Sequence, residues 1–222
     1  MQVRVAMVAA ILVATAGARA DDALGFVPPA PGTYKLQHIM RAPDGTVLDV
    51  DGKAKPFSRF ATGKVTVLSL VYTRCSDGRG CPMASYLLKS LKARIDHERG
   101  LSERLRFVSL SFDPRNDTPE VMRGYRETYA PEKAGLPWYF LTTRSPHELE
   151  PLLAGLGQDV WVAQGSEAET GPLPHLLKVF LLDGHGSVRE IYTTSFLQPQ
   201  VMLNDIKTLL LEEKTRAQHA AH

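Results

Sequence analysis

The chain has 222 residues, 44% of them hydrophobic and 23% charged, with 26 Lys and Arg set against 24 Asp and Glu. That length and hydrophobicity suffice for one well-filled core, and no internal repeat or low-complexity block argues for an array. A near-neutral balance without a basic run excludes nucleic acid as an expected partner.

Residues 1–20 read as an export signal. Arg4 gives the positive start, Val5 to Ala16 is a short apolar run, and Ala18-Arg19-Ala20 has the small-x-small form of a cleavage site. The run is too short to span a bilayer comfortably, so the expectation is a periplasmic or otherwise extracytoplasmic protein, soluble after cleavage. The alternative is an uncleaved N-terminal membrane anchor. Cleavage removes Arg4 and Arg19 and no acid, leaving 24 basic against 24 acidic residues, formally neutral. Residues 21–33, with three prolines between Asp22 and Pro31, read as an extended tether to a domain over 34–214. A polar tail closes the chain at 215–222.

Tyr34 to Met40 and Thr46 to Val50 alternate weakly about Pro43-Asp44-Gly45, which predicts an N-terminal β-hairpin. Val65 to Tyr72 is a β-branched apolar run of the kind found in a buried central strand. Pro82 suits the first turn of a helix in which Met83, Leu87, Leu88, Leu91 and Ile95 share one face as far as His97. Leu105 to Phe112 is a second apolar strand, and Asp117-Thr118-Pro119-Glu120 opens a second helix with a cap and a first-turn proline. The alternation continues through Trp138 to Thr142, a helix over Ser145 to Leu156 and a short stretch at Val160 to Val162. Leu176 to Leu182 and Val188 to Thr193 then flank Asp183-Gly184-His185-Gly186 as a second hairpin, and Pro199 to Glu213 is a closing amphipathic helix. A parallel βαβ start, an antiparallel finish and a C-terminal helix predict an α/β, thioredoxin-like fold with a mixed central sheet flanked by helices.

The only cysteines lie in Cys75-Ser76-Asp77-Gly78-Arg79-Gly80-Cys81, on the loop between the first core strand and the helix that follows it. Open α/β sheets place their chemistry there. Three uses of the pair compete: a structural disulfide, a redox dithiol, or part of a metal site. A disulfide would close a small ring, which removes little chain entropy and so stabilises weakly. Cys81 stands at a helix start, where unpaired N–H groups and the helix dipole are expected to lower a thiol pKa. A metal would need a further donor. Of the seven histidines, His38, His97, His147 and His185 fall in a hairpin, on helices and in a turn, and His219 and His222 belong to the tail. His175 differs: it follows Gly171-Pro172-Leu173-Pro174 and precedes a core-like strand, whose entering loop faces the cysteine loop in a thioredoxin-like sheet.

Val71-Tyr72-Thr73-Arg74-Cys75 to Pro82, the run Ser111-Phe112-Asp113-Pro114-Arg115-Asn116-Asp117-Thr118-Pro119-Glu120-Val121, and His175 with Val179 to Asp183 together resemble the SCO/SenC family of copper-binding, thioredoxin-fold assembly factors for cytochrome c oxidase. The likeness runs from about Gly52 to the C-terminal helix. It implies that Cys75, Cys81 and His175 match the family's copper ligands and that Asp77 matches the acid inside its cysteine loop. Two positions depart: this loop has five residues between its cysteines where the family usually has three, and Pro174 stands where the family often has aspartate.

Two thiolates and one imidazole form a soft donor set suited to Cu(I), while the same donors with Asp77 or water would suit zinc. Asp113 is expected either to orient the loop or the imidazole, or to serve only as a turn residue before Pro114. The longer, glycine-containing loop predicts weaker, more exchangeable binding. The function these readings imply is that of an exported copper chaperone. It would carry Cu(I) or Cu(II) to a client cuproprotein, a cytochrome oxidase subunit by resemblance, and a thiol reductant would maintain the dithiol. The rival is a thiol-disulfide oxidoreductase that carries no metal, with Pro174 in the place of a thioredoxin cis-proline. A module that keeps the fold around an inert disulfide is the third reading.

Overall fold

The computed structural model describes residues 26–131, 134–158 and 176–220. The predicted signal at 1–20, the first part of the tether, the stretch Val160 to Val162, Pro174, His175 and His222 lie outside the described residues.

The N-terminal part contributes β1 (Met40–Arg41), β2 (Thr46–Leu48), β3 (Ala54–Pro56) and the single turn α1 (Ser58–Ala61). The core alternation follows: β4 (Val65–Val71), α2 (Cys81–Asp96), β5 (Leu105–Ser111), α3 (Pro119–Tyr129), β6 (Trp138–Leu141) and α4 (Pro146–Gly155). The chain closes with β7 (Val179–Leu182), β8 (Ser187–Tyr192) and α5 (Pro199–Ala220). Six strands form one sheet in the order β1-β8-β7-β4-β5-β6. β4, β5 and β6 pair in parallel, whereas β7 runs antiparallel to β4 and β8 antiparallel to β7. This is the mixed sheet expected from the order of elements.

β4 and β5 are buried at every position, as central strands covered on both faces must be. The polar residues among them are satisfied inside the sheet: Ser69 and Ser109 share a hydrogen bond of 2.8 Å, and the Trp138 indole donates to Ser109 Oγ at 3.0 Å. α2 packs over β4 and against α3 and α5. Among the described residues no helix is long and apolar enough to cross a membrane.

Three features differ from expectation. An N-terminal hairpin is present, but it joins β2 to β3 around Asp49–Lys53 rather than turning at Pro43-Asp44-Gly45. The Asp49 carboxylate receives the amides of Asp51 and Lys53 at 3.0 and 2.9 Å, and Gly52 takes the φ of +73° that the turn requires. Asp44 instead receives the amides of Gly45 and Ser58, both at 2.8 Å, which frees Met40 and Arg41 to pair with β8. Second, the described part of the tether is docked: Gly32 N–H donates to Thr208 Oγ1 at 3.0 Å and Asn204 donates to the Pro29 carbonyl at 2.8 Å, both on α5. Third, α5 continues through the expected tail to Ala220.

Candidate metal centre

β4 and β5 are parallel and in register from Val65↔Leu105 to Val71↔Ser111, so both strands end at the same level of the sheet. The Phe112 amide continues the ladder to the Val71 carbonyl at 2.9 Å, and the Tyr72 and Phe112 rings pack at 5.1 Å. Beyond that point the two loops are joined by carboxylates. Asp117, fully buried, receives the Thr73 amide at 3.1 Å, the Thr73 hydroxyl at 2.5 Å and the Ser111 hydroxyl at 2.5 Å. Asp113 receives the Arg74 guanidinium at 3.0 Å and both of its oxygens accept from the Asn116 side chain, at 2.9 and 3.0 Å. Asp113 therefore fastens the residue that precedes Cys75. Its backbone also closes the turn through the amides of Asn116 and Asp117, at 3.1 and 2.8 Å.

Asp77 shapes the tip of the cysteine loop. Its carboxylate receives the Arg79 amide at 2.9 Å, and its carbonyl receives the Gly80 amide at 2.9 Å while lying 3.9 Å from Cys75 Sγ. Gly80 is required here by close approach, since a Cβ at that position would meet Cys75 Sγ at 3.1 Å and the Asp77 carbonyl at 3.3 Å. Pro82 then sits in the first turn of α2, which begins at Cys81.

Both cysteines are buried and neither is joined in a disulfide, and their thiols are hydrogen-bond neighbours. The expectation that the helix start lowers the Cys81 pKa is reversed. Burial pushes the Cys81 thiol up to about 12, the adjacent Cys75 thiol adds to the rise, and backbone groups at Tyr72 and at Cys81 itself counter it only in part. The magnitudes explain the sign: a helix terminus offers about 0.3–2 kcal/mol, whereas full burial can shift a pKa by roughly 3–5 units. Local sequence displays the helix start but not the burial. Cys81 thus stands protonated beside a second soft sulfur, and an incoming cation can displace its proton because the cation itself supplies the compensating charge.

Among the described residues, no group of three His, Cys, Asp or Glu side chains stands ready to hold a metal ion. His38, His97, His147, His185 and His219 are all within those residues and so do not complete a set with the thiols. His185 lies in the β7–β8 turn, its amide donating to Asp183 at 3.0 Å. His175 lies outside the described residues; its neighbour Leu176 leads to Val179, which pairs with Ser69 beside the exit of β4. The Leu176 carbonyl receives the Gln158 side-chain amide at 3.2 Å.

Asp117 is the site residue that sequence reasoning missed. Its place beside Thr118 and Pro119 suggests part of a helix cap, yet Thr118 performs that task by accepting the Val121 amide at 3.4 Å. Two capping-type residues in tandem were the available signal, because one helix start has use for only one of them.

A model of the SCO1/SenC family matches residues 46–211. No curated protein matches the chain. Among solved structures, the chain is similar to ScoI of Arabidopsis thaliana with copper bound, at 18% identity and a TM-score of 0.64, over 77% of this chain and 98% of that one. It is similar to a SCO1/SenC family lipoprotein from Bacillus anthracis str. Ames, at 22% identity and 0.63, over 83% and 99%. A third is BsSco, described as a member of the Sco family of cytochrome c oxidase assembly proteins with a disulfide switch, at 20% identity and 0.61, over 79% and 98%. At these identities the likeness is one of fold.

Proposed function

The chain belongs to the SCO1/SenC family, and on that footing we propose that it is an extracytoplasmic copper carrier that binds one ion through Cys75, Cys81 and His175 and delivers it to the copper site of an oxidase subunit or similar client. The observation that carries this reading is the pair of buried, adjacent thiols, not joined in a disulfide, held at the exit of β4. Asp113 and Asp117 act on that loop through Arg74 and Thr73, as groups that position ligands rather than as ligands. The tie between Leu176 and Gln158, and the pairing of Val179 with Ser69, support a short leash between His175 and the cysteine loop.

Cargo transfer proceeds by exchange, one sulfur leaving as a client donor enters. Oxidation of the two thiols to a disulfide releases two protons and two electrons and removes both sulfur donors together. A dithiol partner reverses the step and is itself oxidised to a disulfide. The metal-free oxidoreductase reading would need Cys75 as the attacking group, because burial raises the Cys81 thiol to about 12. Residues 1–20 are read as the signal that brings the protein to this compartment, in keeping with the lipoprotein among its structural relatives.

The test is anaerobic titration of the reduced protein with Cu(I) and Cu(II). One ion per chain is expected. Cys75→Ser or Cys81→Ser should weaken binding by more than the roughly 10- to 100-fold typical of losing a supporting group, and His175→Ala should weaken it with the dithiol potential little changed. Unaltered metal binding in His175→Ala, with rapid disulfide turnover by the parent, would favour the oxidoreductase instead.

A further inference from the structure

At the opposite end of the sheet the molecule carries a second polar construction that copper handling does not use. Lys64 immediately precedes β4, and Arg106 pairs with Thr66 on the second rung of β4 and β5. Around them lies an open pocket of about 480 Å³, walled by Lys55 of β3, Arg59 and Phe60 of α1, Lys64, Arg106, and Tyr139 of β6. β4 separates this pocket from the cysteine loop by about 20 Å, at roughly 3.3 Å per residue.

Nine ion pairs are formed among the described residues, and none involves Lys55, Arg59, Lys64 or Arg106. The one acid on the pocket wall, Asp49, is occupied by the amides of Asp51 and Lys53. Asp51 itself pairs with Arg123 at 3.5 Å, and Glu213 of α5 pairs with Arg104 at 3.7 Å while receiving the Gly184 amide. Arg106 is nine-tenths buried. Its two Nη groups donate to the carbonyls of Arg59 and Thr62, and its Nε is buried without a hydrogen-bond partner. Burial lowers its pKa, so the charge is held there at an energetic cost that no carboxylate offsets. Four cations gathered around one concavity, in a chain whose total charge is only +2, are an arrangement that a bound anion completes.

We propose that the pocket formed by Lys55, Arg59, Lys64, Arg106 and Tyr139 binds a phosphoryl group. Ammonium and guanidinium donors reach the cavity from β3, α1, the start of β4 and β5, and the Tyr139 phenol adds a neutral donor from β6. An anion that accepts from several directions suits this layout better than a carboxylate, which is satisfied by a single fork. The phosphoryl group has two possible sources, a soluble phosphate compound or an anionic lipid headgroup, and both present the same chemistry to the pocket.

The experiment has two arms and uses the parent protein and the double variant Lys55→Gln/Lys64→Gln. Both substitutions lie on half-buried side chains without ion pairs, and unchanged circular dichroism and Cu(I) stoichiometry certify the fold. In the first arm, pyrophosphate is titrated at low ionic strength by calorimetry. In the second, the protein is floated with phosphatidylcholine vesicles with and without phosphatidylglycerol. Saturable pyrophosphate binding that weakens at least about tenfold in the variant assigns a soluble ligand, since a hydrogen bond to a charged group is worth roughly that factor. Flotation that requires phosphatidylglycerol and is lost in the variant assigns a headgroup. Absence of both, or binding that the variant leaves unchanged, overturns the proposal.

Discussion

The two ends of the central sheet treat charge in opposite ways. Where β4 and β5 exit, each carboxylate is occupied by donors that build a loop: Asp117 by Thr73 and Ser111, Asp113 by Arg74 and Asn116. What remains available there is the sulfur pair. Where the same strands enter, Arg106 is anchored by backbone carbonyls, and among the described residues no carboxylate pairs with Lys55, Arg59, Lys64 or Arg106. Polar groups at one end are framework for a site, and at the other they are the site. Burial alone does not distinguish them, because Asp117 and Arg106 are both buried; the completeness of their pairing does.

The contrast is most sharply tested at Asp117. Asp117→Ala leaves three donors without an acceptor inside the protein and should lower stability by about 3 kcal/mol in urea denaturation. Asp117→Asn carries a pH signature. Burial raises the Asp117 pKa above 3.8, so the folded state holds this proton more tightly than the unfolded state does. Its contribution to stability accordingly falls as pH rises from 3.8 through the raised value. The asparagine variant lacks that loss, so its stability relative to the parent should improve between about pH 4 and pH 7; a constant difference would mean that the carboxyl does not titrate there.

Gly80→Ala should reduce Cu(I) affinity about tenfold with little change in unfolding midpoint, as a Cβ displaces Cys75 Sγ without opening the core. Competition with a chromophoric chelator measures it. Arg74→Gln removes a half-exposed partner of Asp113 and should cost no more than about 1 kcal/mol. The smallest effect belongs to the other end: Lys64→Gln should leave stability within about 0.5 kcal/mol, or raise it, because like charges nearby are relieved. A loss comparable to that of Asp117→Ala would erase the distinction between the two ends.

The buried strands and the helix after the cysteines were legible because their signals are local: an unbroken apolar run for β4 and β5, a 3.6-residue period and Pro82 for α2. The hairpin was misplaced because Pro43-Asp44-Gly45 has turn chemistry wherever it sits, and only the tertiary partner Ser58 shows that Asp44 faces α1. The seclusion of Cys81 was invisible for a similar reason, since α3 contributes to it through Tyr125, hydrogen-bonded to Ser85 one turn along α2. Candidate donors were legible from residue type and placement, whereas the groups that hold them were not. Asp117 matters for contacts made 44 positions earlier in the chain, which no window of sequence displays.

That span has a consequence for timing. During synthesis Thr73 and Cys75 precede Asp117, and until β5 has docked beside β4 the Asp117 carboxylate cannot hold the start of the cysteine loop through Thr73. A chain captured midway through synthesis therefore presents two cysteines whose loop lacks that clamp. The finished shape of the thiol pair thus waits on the closing of the whole domain.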